Sequence, residues 1–421
     1  MDWKKRPPAV LACLLVIHLL AHIDRNMLLG FSPQVIAELH LSNAQYGFLV
    51  GAVWVLSFGA MALVLGSLAD RFSRTRVIAA GVLIWSLCTW ASGHAQSFGQ
   101  LVLARFFVAS GEAALVPAAV SLLAELFSER RRSTAMGVFF MGIPMGVGCS
   151  FLLAGTFGAS HGWRATFYAL GAAGMALALP LACLREDRTA QAITERGAPF
   201  LQQMAAVLRL IRESRPLRHL LAGVVLVHVV FAGLSFTPLW LVKERGMDAA
   251  VIATRIGLLQ LVFGTLGAVV GGMLGDRAAR RLPGGHAALM ALLVLLCAPL
   301  MIAYRFAEPG SPAFFGGMCA GAFLPLAVYG PANAAIMARV PAHTRSTMTG
   351  FSMLCINVFA ISAGNLLAGW AIDLLGRQGT ASPITYVLLG TDLVAIASAI
   401  AFACAARCAR RPALAGIHAT R

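Results

Sequence analysis

Apolar residues in this chain come in long unbroken runs rather than in alternation with polar ones. Twelve runs stand out, at 9–29, 43–69, 77–95, 98–126, 133–157, 163–184, 219–242, 251–275, 286–304, 312–338, 346–372 and 384–406. A helix rises about 1.5 Å per residue, so roughly 20 apolar residues cross a hydrocarbon core of about 30 Å. Strands of a membrane barrel would instead read as alternating segments of about ten residues. The pattern therefore predicts an all-α membrane protein with twelve transmembrane helices. One long polar interval, 185–218, separates six runs from six. The domain reading follows: an N-terminal six-helix bundle over 1–184, a linker over 185–218, and a second bundle with a short tail over 219–421. Inside the linker, Phe200, Met204, Val207, Leu208 and Ile211 recur at helical spacing, with Gln202, Gln203, Arg209, Arg212 and Glu213 on the other faces. That spacing predicts an amphipathic helix lying on the membrane surface.

Composition agrees with the pattern. The chain is 59% hydrophobic and 12% charged, with mean hydropathy +0.79, whereas a soluble domain carries about 25% charged residues. A net charge of +16 by itself would raise nucleic acid as a partner. Its placement argues for topology instead: segments on the side of the termini hold 25 of the 33 Lys and Arg, and loops on the opposite side hold six. The positive-inside rule then puts both termini in the cytoplasm of a bacterial-type inner membrane, with anionic lipids as neighbours and no nucleic acid. The first run has a basic flank (Lys4, Lys5, Arg6) like a signal peptide, but it continues into Asp24 and Arg25 without a small-residue cleavage site, so it reads as a retained helix. Nine cysteines lie scattered without CxxC spacing and read as small hydrophobes, not as a metal or disulfide framework. No GxxxxGK[ST], HExxH or GxSxG pattern occurs, so neither a nucleotide-driven pump nor a hydrolase is expected. The chain is read as a transporter and not an enzyme, a monomer with no cofactor beyond a proton gradient.

A short pattern repeats at half-chain spacing. Gly66, Asp70, Arg71 and Arg74 recur as Gly272, Asp276, Arg277 and Arg280, offset by 206 positions, each set closing an apolar run. Glycine permits close helix approach, the aspartate pairs with an arginine or accepts backbone hydrogen bonds, and the other arginines meet water and lipid phosphate. Such a charge latch holds one conformation and releases in another; a stop-transfer charge cluster is the plainer reading. The pattern resembles the loop motif G-x-L-[AG]-D-R-x-G-R-[RK] of the major facilitator superfamily, with Ser73 in place of its second glycine and Thr75 at a basic position. The resemblance implies two six-helix bundles around a midplane cavity and transport by alternating access.

Four charges inside predicted spans stand out: Asp24 and Arg25 in the first, Arg105 and Glu112 in the fourth; Asp392 in span twelve is left without an assigned place. Each costs roughly 2.5–3.5 kcal/mol on insertion scales, so each needs a reason. Asp24 lies about 15 residues, roughly 22 Å, along span one. Span four runs the other way and carries Arg105 about 10 Å in from the opposite side. The two sit at similar depth with opposite sign and are expected to pair. Glu112, two turns beyond Arg105 on nearly the same face, falls near the midplane. A carboxylate in low dielectric takes up a proton more readily, and a nearby arginine opposes this. Asp24 and Glu112 are therefore the expected proton-coupling pair, with Arg25 and Arg105 holding them or binding an anionic substrate group; a static buried ion network is the alternative.

The flanking residues narrow the resemblance. His22 through Asn26, Arg105 with Glu112, Leu126 through Arg130, and Gly162, Trp163 and Arg164 resemble two branches of the superfamily: spinster-like proteins, associated with lysophospholipid and sphingoid-phosphate transport, and anion:cation symporters of sugar acids and related anions. Gly142, Pro144, Gly146 and Gly148, with Ser110 before Glu112, are closer to the spinster pattern, and the symporter's Asn-Phe-Pro is absent at Ala114 to Pro117. The resemblance implies a proton-coupled carrier of a lysolipid-like molecule, with small organic anions as the alternative cargo. His18 and His22, one turn apart, lack a third metal ligand and read as polar lining. With Asn26, His228, Tyr329, Asn333 and Asn357 they form the set expected to line a cavity.

Overall fold

The computed structural model describes residues 6–59, 61, 73–182, 200–341 and 344–415. Among these residues every regular element is helical. Ten helices are long and apolar enough to cross a membrane: Pro7–Gly30, Arg74–Ser92, Phe98–Leu123, Ala135–Gly155, Arg215–Lys243, Ala249–Arg281, Gly285–Ala303, Pro312–Met337, Thr347–Arg377 and Pro383–Cys408. The remaining expected spans match a helical run from Asn43 through residue 59, and Phe157–Ala182. The helices are numbered below as spans one to twelve in chain order.

Loop chemistry fixes where several spans begin. Ser42 accepts from the Gln45 backbone N–H while the Gln45 side chain accepts from the Ser42 N–H, a reciprocal cap that starts span two. Asp248 accepts from the backbone N–H groups of Ala250 and Val251, both at 2.9 Å, and starts span eight. Exposed Leu83, Leu103, Leu179, Leu296, Phe359 and Ile400 form an apolar exterior that only lipid can cover.

The chain divides into two compact units, Met1–Gln191 with Pro238–Leu261, and Ala192–Thr237 with Val262–Arg421. In the first unit the start of span eight packs on span five: a Cβ at Gly257 would meet the Gly148 carbonyl oxygen at 2.8 Å, and one at Gly155 would meet the Thr254 backbone nitrogen at 2.6 Å. That packing is why the unit boundary does not follow chain order. Spans three and four cross backbone to backbone, since a Cβ at Gly81 would lie 2.7 Å from the Gly111 oxygen and one at Gly111 would lie 2.6 Å from the Gly81 oxygen. This reciprocal contact fixes the rotation of span four and so the aim of the neighbouring Glu112.

Two expected features differ in form. The second motif copy is not a loop: Gly272 through Arg280 continue span eight, which is helical to Arg281, and Asp276, Arg277 and Arg280 are exposed along it. The apolar run ends at 275, but lysine- and arginine-type side chains are good helix formers and carry the helix on. The linker helix exists as Phe200–Glu213. Its apolar edge packs on protein: Val207 is fully buried, and Leu210 and Ile211 pack on the core of the second unit. Gln203 accepts a hydrogen bond from Thr347 Oγ1 at 2.8 Å.

Candidate functional site

Span one supplies the centre of the site. Its residues Asp24 and Arg25 are adjacent and point to different neighbours. Asp24 is 1% exposed. Its Oδ1 accepts from Arg105 Nη1 at 2.8 Å, and its Oδ2 accepts from Thr89 Oγ1. Arg105, itself buried, also donates through Nη2 to the Asp24 carbonyl oxygen at 3.2 Å. The expected Asp24–Arg105 pairing is thus present, and span three adds a third partner. Both carboxylate oxygens of Asp24 are taken, which suits a fixed charge locked to its counter-ion.

The second pair is built differently. Glu112 is 6% exposed and accepts from Trp54 Nε1 at 2.9 Å through Oε2. Its Oε1 is buried with no hydrogen-bond partner among the described residues. Arg25 does not close onto it directly; the Arg25 Cζ lies 3.3 Å from the centroid of the Trp54 ring, a cation–π stack. A buried carboxylate oxygen without a donor is costly, and adding a proton to that oxygen removes the charge that makes it so. The Ser57 and Ser110 hydroxyls lie 2.8 Å apart beside this pair, each within reach of the Phe106 carbonyl, and their two protons tie span two to span four.

The polar set expected to line a cavity is partly absorbed in packing within each unit. His18 is buried against span five, donating from Nδ1 to the Phe139 oxygen at 2.9 Å and stacking on the Phe139 ring at 4.2 Å. His22 meets His18 edge-on at 4.8 Å, and Asn26 donates to the His22 carbonyl at 2.7 Å. In the second unit His228 is buried, with Nδ1 at 2.7 Å from the Val224 oxygen, and its ring lies 6.2 Å from that of Tyr329. Tyr329 donates to the Met353 sulfur at 3.7 Å, Asn333 donates to the Tyr329 carbonyl at 3.1 Å, and Asn357 is half-buried in a π-helical stretch, Ile356–Ala363.

Of the first motif copy, Gly66, Asp70 and Arg71 lie outside the described residues. Arg74 is described: it forms an ion pair with Glu125 and donates to Ser121 Oγ at 2.9 Å, joining the start of span three to the end of span four. Glu125 lies 51 residues from Arg74 in sequence, outside the repeated motif.

Trp54, Thr89 and Arg305 were not marked by the sequence. Trp54 and Thr89 carry no charge and sit in apolar runs, so nothing marks them before the helices are packed. Arg305 and Asp392 form a bidentate buried pair, Nε to Oδ2 at 2.7 Å and Nη2 to Oδ1 at 3.2 Å, with the Arg305 Cζ 4.2 Å from the Tyr304 ring centroid. Arg305 follows an apolar run and reads as a loop residue. Its burial corrects the reading of Arg305 as a loop charge and gives Asp392 of span twelve its partner. A signal existed: an acidic residue inside span twelve requires a counter-charge.

Two membrane-embedded bundles with buried carboxylate–arginine pairs define a multi-pass transporter rather than an enzyme. Residues 14–364 match the Major Facilitator Superfamily. The chain is 30% identical over 304 residues, 71% of its length, to an MFS-type efflux pump of Mycolicibacterium smegmatis, covering 69% of that protein. It is 28% identical over 402 residues to a gallate transporter of Pseudomonas putida, covering 88% of this chain and 86% of the relative. To protein spinster of Drosophila melanogaster it is 25% identical over 294 residues, covering 68% and 48% of the two chains. In fold it is similar to a bacterial homologue of the human lysosomal transporter spinster, in an inward-facing and occupied conformation, with TM-score 0.82, 22% identity, and coverage of 97% and 98%. The chain belongs to the Major Facilitator Superfamily.

Proposed function

We propose that this protein is a secondary active transporter that works by alternating access, uses the proton gradient, and moves an amphipathic, lysolipid-like molecule. It acts as a monomer in a bacterial-type inner membrane with both termini in the cytoplasm, and membrane lipids are its neighbours and the source of its cargo. The observation that carries the proton role is Glu112 Oε1, an acceptor buried with no hydrogen-bond partner among the described residues, beside an arginine held on an indole face. Protonation neutralises Glu112; deprotonation leaves a carboxylate that Arg25 can approach. Asp24, with both oxygens engaged, holds Arg105 and fixes the geometry in which Glu112 titrates. The second unit contributes His228, Tyr329 and Asn333 as polar contacts for cargo.

A second reading has its own support. The gallate transporter aligns over 88% of this chain, and gallate is an organic anion. In that reading Arg25 binds the carboxylate of a small acid taken up with a proton. Mass spectrometry of the molecules retained by the purified protein separates the two. A bound lysophospholipid is the expected result; a bound organic acid with no lysophospholipid replaces the first reading by the second.

A further inference from the structure

Trp54 touches both members of the second charge pair and belongs to neither. Its indole N–H donates to Glu112 Oε2 at 2.9 Å, while its ring face carries the Arg25 guanidinium at 3.3 Å from the centroid. Among the described residues no ion pair joins Arg25 to Glu112 within 4.0 Å. In the same unit Asp24 shows the other outcome: there the arginine reaches the carboxylate directly, at 2.8 Å.

We propose that Trp54 is a positioning residue for proton exchange at Glu112: its N–H steadies the ionised carboxylate, and its ring holds Arg25 back from locking that carboxylate into a permanent ion pair. The inference rests on the reading that Glu112 carries the coupled proton. Local backbone geometry places the indole there. Span two passes through a π-helical turn, Phe48–Ala52, and Trp54 follows two residues later. The wider turn rotates every later side chain relative to those before it. Ser57, one turn on, anchors that segment to span four through Ser110 at 2.8 Å.

The two jobs act in opposite directions. A donor to the carboxylate favours its charged form, and so does a cation that reaches it. Losing the N–H alone therefore makes Glu112 easier to protonate. Losing the ring alone frees Arg25 to reach the carboxylate and makes it harder to protonate. The charged groups around Glu112 are Arg25 and Asp24 from span one and Arg105 from its own span, with His22 one turn before Arg25 on span one. These are unchanged by either substitution at Trp54.

The test is an infrared pH titration of the protonated-carboxyl stretch in the purified full-length protein in lipid nanodiscs, which needs no cargo. The Glu112 band is the one missing in Glu112→Gln. Trp54→Phe keeps a ring and removes the N–H; its midpoint moves up by about one pH unit. Trp54→Gln keeps an N–H donor and removes the ring; its midpoint moves down by about the same amount. Opposite shifts are the expected result, since a merely packed tryptophan gives none or gives two of the same sign, and either of those overturns the proposal. If one variant fails to fold, the sign of the other decides. If Glu112→Gln removes no band, the proton reading itself falls, and Trp54 falls with it; if the band is present and unmoved in the Trp54 variants, only the role of Trp54 falls.

Discussion

Asp24 and Glu112 are both buried carboxylates near arginines, yet their surroundings give them different work. Asp24 accepts from Arg105 and Thr89 and has no oxygen left over. Glu112 accepts from Trp54 and keeps one oxygen open. Thr89→Val should therefore act on stability: a hydrogen bond to a charged group contributes about 1.5–3 kcal/mol, and thermal unfolding of the purified protein should report a loss in that range. The pair in the second unit makes a sharper prediction. Asp392→Asn removes the counter-charge of a buried guanidinium and should cost about 3–5 kcal/mol. Replacing Arg305 and Asp392 together by leucine should restore most of that loss, because an apolar pair needs no desolvation compensation. Thermal melts of the single and double variants check it. Much of the first pair was legible before folding, because helix rise alone puts Asp24 and Arg105 at one depth. Trp54 and Thr89 were not, because their roles depend on which way each helix is rotated. That rotation is set by glycine crossings and by a π-helical turn, and apolar periodicity reports neither.

At the scale of elements, twelve apolar runs translate into helices with few surprises, since a span must satisfy its backbone internally. Helix ends are less predictable: span eight outlasts its apolar run through Arg281. Glycine's role within that span is specific to position. A Cβ at Gly271 would clash with the backbone of Ala327 on span ten, whereas one at Gly272 meets nothing within 4 Å. Gly271→Ala should force spans eight and ten apart and lower the thermal midpoint by several degrees; Gly272→Ala, in the repeated motif, should leave it unchanged or raise it slightly through helix propensity. A second element-scale device joins the segment after span one to the start of span six. Glu38 accepts from Trp163 Nε1 at 2.5 Å and Arg164 Nε at 2.9 Å, and Arg164 also donates to the Gly93 and Ala95 carbonyls. The Trp163 hydrogen bond, with Arg164 adding to it, holds the Glu38 carboxyl below its ordinary value of 4.5. A lowered folded-state value means the clasp stabilises fully above pH 4.5 and loses that contribution as pH falls below it. Glu38→Gln should lower stability at neutral pH and flatten the acid side of the profile, so that its difference from the wild-type protein shrinks as pH falls below 4.5, measured by thermal unfolding across pH.

For the whole molecule, the repeated motif and the helix count describe a duplicated scaffold, and the charges describe how it has been specialised. Among the described buried charges, the first unit holds one locked pair, Asp24 with Arg105, and one open pair, Glu112 with Arg25; the second holds a locked pair, Arg305 with Asp392, and a cluster of polar groups around His228. Among the described residues, Asp24 and Asp392 have both carboxylate oxygens engaged and Glu112 keeps one open, the oxygen at which the proposed coupling would act. Topology follows from the basic residues: cysteine labels or reporter fusions at the two termini should both report the cytoplasmic side, and a terminus on the far side would overturn the charge-bias argument. The central claim is that Glu112 couples the proton to cargo. Its most direct test is transport into proteoliposomes under an imposed pH gradient, with a fluorescent lysophospholipid and gallate each supplied as cargo, comparing the wild-type protein with Glu112→Gln. The account predicts that the wild-type protein concentrates one of these cargoes only when the gradient is present, and that Glu112→Gln, with wild-type fold, still exchanges that cargo but no longer responds to the gradient. Gradient-driven accumulation that survives intact in Glu112→Gln would contradict it.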